Sequence, residues 1–101
     1  MVAFAGTNVS AMAQRTYDVV LRNGQIIDGT GKAAFHGDIA IKDRRIVLIG
    51  QVPAESASAE YDAGGLVVAP GFIDVHTHAE DIDDMPLGEN FVRMGVTTLV
   101  L

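Results

Sequence analysis

The chain has 101 residues, 49% of them hydrophobic, with seven basic and thirteen acidic side chains and a net charge of −6. A chain this apolar is not a disordered segment, and an acidic balance without clustered Lys or Arg argues against a nucleic-acid-binding surface. It has no cysteine, which excludes an internal disulfide, and no apolar run long enough to span a membrane.

Residues 1–13 carry no charge, and Ala11-Met12-Ala13 has the small-x-small form of a signal-peptide cleavage site. The usual positive n-region is missing, and Gly6, Thr7, Asn8 and Ser10 dilute the apolar stretch. Residues 1–15 therefore read as a signal-peptide remnant ending at Ala13 or as a plain leader. Cytoplasmic and periplasmic or secreted residence both stay open.

Residues 16–69 read as short strands punctuated by turns. Residues 18–22 form the first. Asn23-Gly24 predicts a hairpin turn, because both residues tolerate positive φ, with residues 25–27 as the return strand. Asp28-Gly29-Thr30-Gly31 is a loop. It is not a phosphate loop, since no Lys-Ser/Thr follows and no helical pattern begins there. His36, beside Gly37, reads as a solvent-facing loop histidine. Residues 38–42 and 45–49 predict a second hairpin around Asp43-Arg44. Arg44 stands where glycine would turn more easily, so a type I or mildly strained turn is expected. A small-residue loop over 50–59 leads to short strands at 59–62 and 66–69.

Pro70-Gly71-Phe72-Ile73-Asp74-Val75-His76-Thr77-His78 is the most informative run. It reads as a strand ending in two histidines spaced i, i+2. Alternation places Phe72, Asp74, His76 and His78 on one face and Ile73, Val75 and Thr77 on the other. Residues 79–84 form an acidic loop in which Asp83 or Asp84 caps a helix, with Pro86 in its first turn. Leu87, Phe91 and Met94 make one apolar stripe, Gly95 suits the residue after the helix, and a strand begins at Val96 or Thr97. Strand, helix and strand in this order open an α/β unit with parallel strands. The apolar run Thr97-Thr98-Leu99-Val100-Leu101 has no turn after it, which reads as truncation in mid-strand.

Two imidazoles on one face of a strand end can chelate one metal ion, and zinc accepts histidine nitrogen well. The bland alternative for His76 and His78 is a pair of surface side chains. The apolar strand before them, the acidic loop after them and Asp74 two residues earlier favour ligation. Asp74 reads as a support, either accepting an imidazole N–H or fixing the strand end. Glu80, Asp81, Asp83 and Asp84 read as a solvated, helix-capping loop rather than a substrate contact.

At these residues the chain resembles the amidohydrolase superfamily. The run from Pro70 to His78 matches that family's first-strand motif. Tyr17-Asp18-Val19-Val20-Leu21-Arg22-Asn23-Gly24 and Arg45-Ile46-Val47-Leu48-Ile49-Gly50 match the β-domain before it. Within the superfamily, Asp28-Gly29-Thr30-Gly31 and Glu89-Asn90-Phe91-Val92-Arg93-Met94-Gly95-Val96-Thr97-Thr98 resemble the N-acyl-D-amino-acid deacylases. Dihydroorotases and hydantoinases typically carry an Arg where this chain has Glu80, which weighs against them.

The resemblance implies an α/β fold. Residues 16–69 would be the N-terminal part of a β-sandwich-like domain, and residues 70–101 the first strand-helix-strand of a (β/α)8 barrel, truncated at Leu101. It implies one or two Zn2+ ions per active site in the full-length protein, bound by His76, His78 and later residues. A Cys at the end of the second strand, two further His and a catalytic Asp would lie beyond Leu101. No catalytic residue falls within this segment, which alone would be inactive. The implied reaction is hydrolysis of a small N-acylated amino acid or related amide. The alternatives are another amidohydrolase, namely a cyclic amidase or a dihydroorotase-like or isoaspartyl-dipeptidase-like enzyme, or a stand-alone, non-catalytic β-rich module.

Overall fold

The computed structural model describes residues 15–85 and 87–101. The reading of residues 1–13 and the placement of Pro86 lie outside them. The chain is a mixed α/β, sheet-rich structure that divides after Ala69 into two compact units.

In the first unit β1 (Tyr17–Ile26), β2 (Phe35–Lys42), β3 (Arg45–Gly50), β4 (Ala57–Asp62) and β5 (Val67–Val68) form one sheet. The order is β3-β2-β1-β4, with β5 also on β1. β2 runs antiparallel to β1 and β3, whereas β4 and β5 run parallel to β1. The β2–β3 hairpin and the loop after it therefore act as the crossover that parallel pairing requires. That parallel pairing was not legible as hairpin punctuation.

The predicted hairpin at Asn23-Gly24 does not form: β1 continues through both residues. Leu21 pairs with Ile39 but Gly24 with Gly37, so β1 carries one extra residue, a β-bulge. Asn23 takes φ 60° there, and its N–H donates to Asp38 Oδ1 at 2.9 Å. The tolerance of positive φ that suggested a turn serves a bulge equally well. The second hairpin forms as expected, between β2 and β3. Its turn is not type I, since Asp43 and Arg44 have φ 51° and 63°, the signs of a type I′ turn. This twist matches the flanking strands, and Asp18 Oδ2 accepts the Asp43 N–H at 2.8 Å.

Val20, Ala40, Val52 and Ala57 form the buried cluster, with Tyr17 and Leu48 packed against it. Val20 pairs with Ala40 and Ala40 with Leu48, so one cross-strand row supplies its centre. By alternation the opposite face carries the rows Tyr61-Leu21-Ile39-Ile49 and Ala59-Val19-Ile41-Ile46. Ile39 is buried there, while Ile46 and Tyr61 at the margins are each 60% exposed.

A guanidinium ties the strands together. Arg22 donates from Nε and Nη2 to Glu60 at 3.2 and 2.6 Å, from Nη1 to Asp38 at 3.0 Å, and to the carbonyls of Val52 and Pro53 at 2.5 and 2.7 Å. The planar fork thus joins β1, β2, β4 and the loop after β3. Arg22 is pushed above its ordinary pKa, chiefly by the bond to Glu60 and against its partial burial. Glu60 is held below the usual carboxylate range by the same bond. Burial pushes Asp38 up, but the N–H groups of Asn23 and Val52 and the Arg22 guanidinium outweigh it and leave its pKa lowered.

In the second unit β6 (Phe72–Asp74) is followed by a 3₁₀ turn (Ile82–Asp84), helix α1 (Glu89–Arg93) and β7 (Val96–Leu99). β6 and β7 pair in parallel, as the strand-helix-strand reading requires. Asp83 and Asp84 do not cap the helix. They lie in the 3₁₀ turn, and Gly88 at φ 52° precedes α1 without a side-chain cap. Of the expected stripe, Phe91 is half-buried and Leu87 and Met94 are exposed. Gly95 ends the helix at φ 82°, as predicted, with its N–H on Val92 O at 2.9 Å. Gly71 has no room for a side chain, because a Cβ there would overlap Thr97 of β7.

Candidate functional site

β6 and β7 end together. Asp74 pairs with Leu99, and the Asp74 carbonyl accepts the Val100 N–H at 2.9 Å. His76 and His78 follow β6 at the C-terminal edge of this parallel pair, the edge at which open and closed α/β sheets carry their ligands.

The strand itself stops at Asp74 and bends over Val75 and His76, so the histidines are not carried by continued alternation. Asp74 Oδ1 accepts the His76 N–H at 3.1 Å, the side-chain-to-i+2 bond by which Asp closes a local turn. That bond occupies the amide that a longer strand would offer a neighbour. The carboxylate thus fixes the chain direction leaving β6.

The bend still brings the two imidazoles together, with ring centres 5.5 Å apart and planes at 81°. With Zn–N bonds of about 2 Å, each ring centre would stand about 3 Å from a shared ion. A tetrahedral angle then separates the rings by about 5 Å. The spacing and donor chemistry of the pair fit one zinc ion. The donor set is partial: among the described residues no group of three or more His, Cys, Asp or Glu could hold a metal. His78 Nδ1 lies 3.6 Å from Glu80 Oε1, both side chains being largely exposed. Sequence reasoning assigned Glu80 to the solvated loop, although its i+2 spacing from His78 was the available signal. His36 lies in β2, not a loop, and is exposed as expected.

No protein-family profile matches the chain. N-acyl-D-glutamate deacylase of Alcaligenes xylosoxydans xylosoxydans is 45% identical over 93 residues, covering 87% of this chain and 18% of the relative. D-aminoacylase of the same organism is 35% identical over 97 residues, covering 91% and 19%. Adenine deaminase of Halalkalibacterium halodurans is 38% identical over 94 residues, covering 89% and 16%. Among solved structures, N-acyl-D-glutamate deacylase from Bordetella bronchiseptica, complexed with zinc and a phosphonate mimic of the tetrahedral intermediate, superposes with a TM-score of 0.78. It is 39% identical over 85% of this chain and 18% of its own.

In sequence and fold the chain resembles the amidohydrolases. Within them it resembles the N-terminal part of N-acyl-D-glutamate deacylase and D-aminoacylase. It spans less than a fifth of the length of these relatives.

Proposed function

We propose that this chain is the N-terminal part of a zinc-dependent hydrolase of amide C–N bonds, acting on N-acyl-D-amino acids. The observation that carries the reading is the His76–His78 pair, 5.5 Å apart at the C-terminal edge of the β6–β7 pair. The names of the relatives and the zinc-bound structural neighbour support the substrate class and the metal. Residues 1–15 are then a leader or a signal-peptide remnant, residues 16–69 part of a β-sandwich-like domain, and residues 70–101 the start of a (β/α)8 barrel.

His76 and His78 would hold the metal through their imidazole nitrogens, and Asp74 fixes the bend that carries them. Zinc bound there supplies Lewis acidity toward the amide carbonyl and a bound water of lowered pKa. The remaining ligands and the acid/base group come from other parts of the full-length protein. Among the described residues no helix is long and apolar enough to cross a membrane, and the substrate is a small molecule.

A second reading has its own support. The adenine deaminase relative matches about as well as the D-aminoacylase, so the same N-terminal architecture can serve hydrolysis at another C–N centre. Assaying the full-length protein on N-acetyl-D-amino acids, their L-enantiomers and adenine separates the two. Faster turnover of the D-forms, abolished by chelation, is expected. Equal rates on both enantiomers, activity that survives chelation, or turnover of adenine alone overturns the assignment.

A further inference from the structure

We propose that Glu80 is a positioning residue for His78, its carboxylate holding the imidazole in the tautomer that reserves Nε2 for the metal. The inference rests on the zinc reading above. The His78 ring turns its Nδ1 edge toward Glu80 Oε1, at 3.6 Å. That is longer than a hydrogen bond, so the positioning role requires the carboxylate to close on Nδ1 when the ring holds the metal. A neutral imidazole has one N–H and one lone pair. A carboxylate facing Nδ1 keeps the proton there and leaves the lone pair on Nε2, as carboxylate partners of ligating histidines do. Asp74, the carboxylate that the sequence singled out, instead spends Oδ1 on the His76 backbone N–H. The two acids thus divide the work: Asp74 sets the bend and Glu80 orients a ring.

The test uses the full-length protein, with zinc affinity measured by chelator competition and bound zinc by elemental analysis. His78→Ala first checks the reading beneath the inference, and loss of bound zinc is expected. Glu80→Ala should then weaken zinc 10- to 100-fold. Glu80→Gln should retain most of the affinity, because its amide oxygen still accepts the Nδ1–H. Asp83→Ala controls for loop charge and should leave affinity unchanged. Wild-type affinity in Glu80→Ala, with zinc lost in His78→Ala, overturns the positioning role and spares the zinc reading. An equal loss in Asp83→Ala, or no rescue by Glu80→Gln, makes the effect one of loop charge and also overturns it. Undiminished zinc in His78→Ala overturns both.

Discussion

Arg22 shows how one side chain organises several strands. It was legible only as part of a family-like run, because its partners Asp38, Val52, Pro53 and Glu60 lie 16 to 38 residues away. Arg22→Met keeps the aliphatic bulk but leaves a carboxylate and carbonyls without their donor. A loss of about 1–3 kcal/mol is expected, read as faster hydrogen exchange in β1, β2 and β4 of the full-length protein. Undisturbed exchange would show that the cluster is merely a surface feature. The carboxylates also give the unit an acid limit. Asp38 and Glu60 have folded pKa values below their unfolded ones. Their contribution is therefore complete above the unfolded carboxylate range, at about pH 4, and is lost as pH falls through the folded values. Acid should loosen wild-type β1 and β2 in this window more than it loosens Asp38→Asn. Equal acid sensitivity would remove Asp38 from the explanation.

At the scale of elements, one expected turn is a bulge within β1 and the other forms with type I′ rather than type I signs. Asn23 at the first site and both Asp43 and Arg44 at the second adopt positive φ, yet only the second site connects two strands. The difference lies in the partners. Residues after Gly24 pair with β5 as well as β2, so β1 has no need to turn. Arg44 at φ 63° carries the cost of a left-handed non-glycine residue. Arg44→Gly should stabilise the β2–β3 hairpin by about 1 kcal/mol, seen as slower amide exchange in both strands. Unchanged or faster exchange would mean that the Arg44 side chain compensates for its backbone. Gly71 makes the opposite case. An added Cβ would stand 2.8 Å from Thr97 Cβ and nearer still to its Oγ1 and Cγ2, so the short branched side chain and the strand that carries it must shift. Gly71→Ala should cost about 1–3 kcal/mol of β6–β7 pairing and lower the melting temperature. A variant as stable as wild type would mean that the strands separate without penalty.

For the whole molecule, the decisive question is what would complete the proposed metal site. On the proposed zinc reading, chelation or His76→Ala should lower bound zinc and hydrolysis together in the full-length protein. Unchanged zinc stoichiometry in His76→Ala would make the pair structural. The nine residues from Pro70 to His78 determined by themselves the family likeness, the metal-capable pair and the strand that precedes it, because those depend on residue type and local spacing. Helix, strand and glycine stop between residues 89 and 99 were likewise written locally. Tertiary structure alone decided the parallel pairing of β4 and β5 with β1, the bulge at Asn23 and the fivefold engagement of Arg22. It also ended β6 at Asp74. Each of these is a contest among partners distant in sequence or among competing hydrogen bonds for one amide, and chain spacing does not record which competitor wins.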